Sequence, residues 1–132
     1  MAGRAARTAG PDGSAATIDA AVNDVRLRGR LSGDPEEREL PSGDSVVVFR
    51  LVVDRPPGGR ATHDTIDCAA YAARLRRSVL RWSHGDVVEV VGAVHRRFFR
   101  AGAGPVSRYE VEAAAVQRLA TAAQRERGTM TG

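Results

Sequence analysis

Apolar and charged side chains alternate through Val25-Arg26-Leu27-Arg28-Gly29-Arg30-Leu31. Successive side chains of a strand point to opposite faces, so this run predicts a strand from about Val22 to Ser32. One face turns to a core and the other presents arginine. Asp34-Pro35-Glu36 stops the strand, because proline has no N–H for a ladder. Leu40-Pro41-Ser42-Gly43-Asp44 reads as a turn. The dense Val-Phe-Leu run from Val46 to Asp54 predicts a second, largely buried strand. Arg55-Pro56-Pro57-Gly58-Gly59-Arg60 forms a loop, and alternation around Ile66 and Cys68 gives a third strand, Thr62 to Tyr71.

The period then changes. Leu75, Val79 and Trp82 share a helical face, with Arg74, Arg77 and Arg81 turned away from it. Gly85 ends that helix. Val87 to Phe99 is a fourth strand, and Gly92 inside it marks a bulge or bend. Ala101-Gly102-Ala103-Gly104-Pro105 is a hairpin tip, and Ser107 to Leu119 is the fifth strand. Residues 1–21 lack a sustained apolar period and read as a flexible arm, and residues 120–132 as a short disordered tail. The expected fold is therefore all-β with one helix: a five-stranded OB-fold barrel over residues 22–119, with its helix between strands three and four.

Composition narrows the function. The chain has 132 residues, enough for one domain with one core. Its net charge is only +4, but all 20 basic residues are arginine. A GC-rich genome accounts for part of that bias, yet arginine still pairs with phosphate bidentately and stacks on bases. No apolar run reaches the roughly 20 residues of a membrane helix, so no membrane association is expected. Cys68 is alone and cannot form an internal disulfide, which suggests a reducing, cytoplasmic setting.

Catalysis finds little support. His63 and Asp67 share a strand face while Asp64 points away, and His84 and His95 are too scattered for a zinc pattern. No glycine-rich phosphate loop joins a strand to a helix. Cys68 reads as a small buried hydrophobe. No enzyme activity, metal or cofactor is expected.

Asn23-Asp24-Val25-Arg26-Leu27-Arg28-Gly29-Arg30-Leu31, followed by Asp34-Pro35-Glu36-Glu37-Arg38, resembles the opening of the bacterial single-stranded DNA-binding proteins. The likeness continues through Pro41-Ser42-Gly43, Val46 to Val53, Gly85-Asp86, Val88-Glu89-Val90-Val91-Gly92 and Arg108-Tyr109-Glu110-Val111. It covers about Val22 to Leu119. The resemblance implies a homotetrameric OB-fold that wraps single strands with little sequence preference, serving replication, recombination or repair in the nucleoid. It places Tyr71 and Phe99 on positions where aromatic rings stack on bases. At two other such positions this sequence has Pro57 and Thr65 where tryptophan is found. Each lost platform is worth about 1–3 kcal/mol. Replicative members end in an acidic tip that recruits repair enzymes; this sequence ends Arg125-Glu126-Arg127-Gly128-Thr129-Met130-Thr131-Gly132, so tail-mediated recruitment is not expected and an accessory paralogue is favoured. A primosome-like scaffold that associates with the replicative protein, and an RNA binder, are the alternatives.

Within that reading, Phe99 with Phe98, Arg96, Arg97 and Arg100 is the best local cluster, a basic arm interleaved with aromatics. Adjacent phenylalanines face opposite sides of a strand, so Phe99 is expected to stack and Phe98 to pack against core or subunit. Tyr71 is either a base platform or a rim residue closing the barrel mouth. Arg38, Arg55 and Arg60 lie on or beside loops and could meet phosphate or solvent. Arg26 and Arg28 could face a subunit contact or DNA. Trp82 belongs to the core. Tyr71, Phe99 and the flanking arginines are expected to line one continuous groove.

Overall fold

The structure, a computed structural model, describes residues 20–131. The expected N-terminal arm therefore lies almost wholly outside the described residues. The strands are β1 (Val25–Leu31), β2 (Glu36–Glu39), β3 (Ser45–Asp54), β4 (His63–Ala70), β5 (Val87–Ala101) and β6 (Gly104–Ala120), and the helices are α1 (Ala73–Val79) and α2 (Ala122–Thr131). The order is β1-β5-β6-β4-β3-β2, and a further β1–β3 pairing closes five of the six strands into a barrel. β4 runs parallel to β6 at Cys68 and Val111, and the other pairings are antiparallel. This is the OB plan that the sequence predicted, with α1 between β4 and β5.

β2 is the addition. Its residues, Glu-Glu-Arg-Glu, are all exposed and carry no apolar alternation. The strand exists because its backbone pairs with β3, Glu36 opposite Val48 through Glu39 opposite Ser45. β1 ends at Leu31, where Ser32 and Gly33 bend the chain ahead of Pro35, and the chain returns to the sheet directly after the proline.

Alternation builds the core. Leu31 from β1, Val47, Phe49 and Leu51 from β3, Cys68 from β4, Val88 and Val90 from β5, and Val111 from β6 all point inward. Leu75 and Val79 of α1 pack against that cluster with Trp82, whose ring meets Phe49 edge-on at 5.6 Å. Trp82 lies just past the helix, where its backbone N–H donates to the Val79 carbonyl at 2.9 Å. Burial pushes the Cys68 thiol up to about 12, so it stays a protonated apolar filler.

Two glycines allow the closure. A Cβ on Gly29 would lie 2.4 Å from the Val52 carbonyl oxygen, where β1 passes from β5 to β3. One on Gly92 would lie 1.9 Å from the Glu112 oxygen. The β5–β6 register shifts at Val91/Gly92, the irregularity expected of an interior glycine.

The tail departs from expectation. Instead of fraying, the chain forms α2, because Thr121 and Gln124 make a reciprocal capping box. The Gln124 N–H donates to Thr121 Oγ1 at 3.1 Å, and the Thr121 N–H donates to Gln124 Oε1 at 2.7 Å. The Ala122 N–H donates to the buried Asp86 carboxylate at 2.9 Å, fastening the helix start to the barrel.

Gly92→Ala should destabilise the chain by about 2–4 kcal/mol, since backbone rather than a side chain must give way. The thermal midpoint should fall by roughly 10 °C. A scanning calorimetry trace that matches the unaltered chain would mean the strands do not cross this tightly.

Candidate nucleic-acid interface

β5 pairs with β1 only as far as Gly92, and β6 touches β4 only at Val111 and Glu112. Beyond those points residues 95–101 and 104–110 pair only with each other. They form a two-stranded ribbon that extends past the barrel wall. The pleat then sorts its side chains. His95, Arg97 and Phe99 share one face with Glu110 and Arg108, while Arg96, Phe98 and Arg100 share the other with Tyr109 and Ser107.

The first face borders a groove of about 380 Å³ between the ribbon and the outer surface of β2, β3 and β4. Phe99 is half-buried there. The guanidinium carbons of Arg97 and Arg108 lie 5.6 and 5.8 Å from its ring centroid, within cation–π range. Arg38 and Arg50 border the groove from β2 and β3. Carboxylates alternate with these cations. Arg38 Nη2 meets Glu36 at 2.7 Å, Arg50 Nε donates to Asp67 at 3.0 Å, and Arg97 stands 3.9 Å from Glu110.

Tyr71, just beyond β4, does not line the groove itself. Its hydroxyl donates to Glu110 Oε2 at 3.0 Å, and its ring lies 6.0 Å from that of His95. Glu110 is only 7% exposed and also faces His95 Nε2 at 2.8 Å, while His95 Nδ1 lies 2.9 Å from Glu112. Burial, and then the bond to Glu110, push the Tyr71 hydroxyl up to about 12. It remains a donor throughout the neutral range.

The expected single groove is therefore divided. Phe99, Arg97 and Arg38 line it, and Tyr71 is joined to it through Glu110. Arg96 and Arg100 are on the ribbon's opposite side, because even-numbered positions of β5 cannot share a face with Phe99. Arg96 lies 5.1 Å from the Phe98 ring and 5.6 Å from the Tyr109 ring. Phe98, expected to pack against core or subunit, is 71% exposed in this chain. Arg55 belongs to the β3–β4 hairpin, where Nε and Nη2 grip both oxygens of Asp64 at 3.0 and 2.8 Å. That grip holds the Asp64 carboxyl below the usual carboxylate range. Arg60 is exposed in the same loop, away from the groove lining.

Arg26 and Arg28 converge on one oxygen of Glu89, at 2.6 and 3.1 Å, on the outer face of β1 and β5. The sequence reading missed Arg50, Arg108 and the Glu110–His95 network. Odd-number alternation from Phe99 back to His95 was the available signal for His95. The opposing β6 register, which places Arg108 across from Arg97, was not visible without the pairing.

Among the described residues no cluster of His, Cys, Asp and Glu is arranged to hold a metal ion. Nor is any described helix long and apolar enough to cross a membrane.

The barrel with its projecting ribbon is an OB-fold, and comparison with known proteins agrees. A structure described as Plasmodium falciparum SSB complex with ssDNA superposes with a TM-score of 0.64 at 21% identity, covering 76% of this chain and 97% of that one. A deletion mutant of the Thermus aquaticus single-stranded DNA binding protein gives 0.57 at 24% identity, over 74% and 41% of the two chains. Residues 22–119 match the model of the single-strand binding protein family, and the chain belongs to that family. The single-stranded DNA-binding protein of Oceanobacillus iheyensis is 34% identical over 104 residues, covering 76% of this chain and 65% of that protein. Single-stranded DNA-binding protein 1 of Streptococcus agalactiae serotype III is 31% identical over 113 residues, covering 82% and 69%. For single-stranded DNA-binding protein A of Bacillus subtilis the values are 32% over 102 residues, 74% and 59%. The chain thus spans between about three-fifths and two-thirds of the lengths of these curated relatives.

The tyrosine network generates a pH expectation. The folded chain holds the Tyr71 proton more tightly than the unfolded one. Its contribution to stability is therefore complete below about pH 10 and lost as the pH climbs toward 12. In a Tyr109→Phe background, ultraviolet titration of the folded chain should place the phenolate transition near 12. A transition at the ordinary value near 10 would show that the hydroxyl is not engaged as described.

Proposed function

We propose that this chain binds single-stranded DNA with little sequence preference, as an accessory member of its family. The observation that carries the reading is the Phe99 ring, set at a groove edge with the guanidinium groups of Arg97 and Arg108 beside it. A base stacks on an aromatic face whatever its identity, and guanidinium forks take the phosphates on either side. Membership of the family and the names of its relatives support the choice of ligand. Tyr71 stands behind the groove wall, where its hydroxyl holds Glu110 in place. The role is binding in replication, recombination or repair in the nucleoid, without catalysis. The assembly is a homotetramer, which static light scattering would register as a mass four times the 14.0 kDa of one chain.

A second reading draws on the groove's own charge. Arg38, Arg50 and Arg97 already face Glu36, Asp67 and Glu110. A primosome-like scaffold that joins a replicative relative, with weak DNA affinity, fits such partly neutralised cations. Mixed assemblies on co-expression would favour it.

Fluorescence anisotropy with labelled oligo(dT) at two salt concentrations tests the main reading. Phe99→Ala should cost about 1–3 kcal/mol of binding. The log–log salt slope should be about −0.7 for each phosphate contacted. Equal affinity for duplex, or affinity indifferent to both Phe99→Ala and Tyr71→Ala, would shift the balance to the scaffold.

A further inference from the structure

The ribbon's other face has no role in the groove, yet it is built for the same class of ligand. Phe98 is 71% exposed and Tyr109 is 68% exposed. Arg96 lies between them, 5.1 and 5.6 Å from their ring centroids, with its Nε donating to Ser107 Oγ at 3.0 Å. Arg100 stands further out, opposite Pro105. Val94, 38% exposed, continues the face toward the barrel.

Charge separates this face from the groove. Every second residue from Val94 to Arg100, and every second residue from Pro105 to Val111, falls on it. Among these described residues there is no carboxylate, whereas the groove carries Asp34, Glu36, Asp67 and Glu110. Two uncompensated cations and two open rings complement a ligand with alternating anionic and aromatic parts. The area argues against a protein partner. Two strands about 5 Å apart with four side chains each offer on the order of 300 Å², against roughly 800 Å² per partner in a stable complex.

We infer that the face bearing Arg96, Phe98, Arg100 and Tyr109 is a second binding strip for single-stranded DNA. It takes the strand after it leaves the groove and rounds the hairpin tip. The inference rests on the proposed DNA-binding reading and extends it to a surface on which Phe99 plays no part.

The test compares Phe98→Ala/Tyr109→Ala with Phe99→Ala. Both rings of the double variant are exposed, and circular dichroism would verify that its fold is retained. Anisotropy would use one oligo(dT) of about 8 nucleotides, within the 4–16 that one OB fold covers, and one of about 40. For the double variant the loss should be steeper on the long oligonucleotide, about tenfold or more, with light-scattering mass unchanged. Unaltered long-oligonucleotide affinity would overturn the strip. So would a fall in mass, which would make this face a contact between copies. An unaltered chain that binds neither oligonucleotide would end both readings. A loss confined to the double variant, with Phe99→Ala silent, would overturn the groove and the path leading from it, and would make this face the chain's own DNA-binding surface.

Discussion

The pleat of a two-stranded ribbon governs the chemistry of this molecule. Inside the barrel, alternation sends one set of side chains to the core and the other to solvent. Past Val94 no third strand pairs with the ribbon, so one of its faces borders the groove and the other is open to solvent. Arg96, Arg97, Phe98, Phe99 and Arg100 form one basic-aromatic run in sequence, but the chain cannot present them together. Odd and even positions serve different surfaces. A one-residue slip between the strands would exchange the pairing partners of every ribbon residue and bring Arg97 opposite a different neighbour.

The bulge at Val91/Gly92 sets where that division begins. Gly92 lets β5 pass against the Glu112 carbonyl at a distance no side chain tolerates, and Gly29 does the same for β1 against Val52. These close approaches curl the sheet until β1 reaches β3. The curled wall leaves β2 and β3 alongside the base of the ribbon, and so Arg38 and Arg50 come to face Arg97, Arg108 and Phe99. The groove is a consequence of barrel closure as much as of the residues that line it.

Much of this was legible in the chain, and the parts that were not have physical causes. The strands with an apolar face stood out because burial imposes a period of two. The helix stood out because its buried stripe recurs at a different spacing, but it ends at Val79 with Leu80 as its cap, and Gly85, at φ 88°, turns the chain into β5 rather than ending the helix. β2 was hidden because its stability lies in backbone pairing to β3 rather than in side-chain burial. The tail helix was hidden because its polar residues suggested fraying, although Thr121-x-x-Gln124 is a capping signature readable in one dimension. Phe99 could be separated from Phe98 by parity alone. That Arg96 and Arg100 go with Phe98 follows from the same parity, which the reading of one basic arm set aside. Arg108 and Glu110 required the β5–β6 register, a long-range property that no local pattern encodes.

Of the four carboxylates lining the groove, Asp34 accepts from the His84 backbone N–H at 2.8 Å, and the three that face its arginines are of two kinds. Glu36 and Asp67 form exposed pairs with Arg38 and Arg50, and such pairs are worth about 1 kcal/mol or less. A phosphate can take the place of either carboxylate at little cost, so these acids orient guanidinium groups without blocking them. Glu110 differs. It is nearly enclosed and is met by the Tyr71 hydroxyl, by His95 and, more loosely, by Arg97. Its charge is held in place by that network and cannot be displaced cheaply. Under the proposed reading, a strand entering the groove meets exchangeable pairs on the β2–β3 side and a fixed anion where Tyr71 joins. The phosphates are therefore steered toward Arg108 and the outer end of Phe99, the end from which the ribbon tip and its acid-free face are reached.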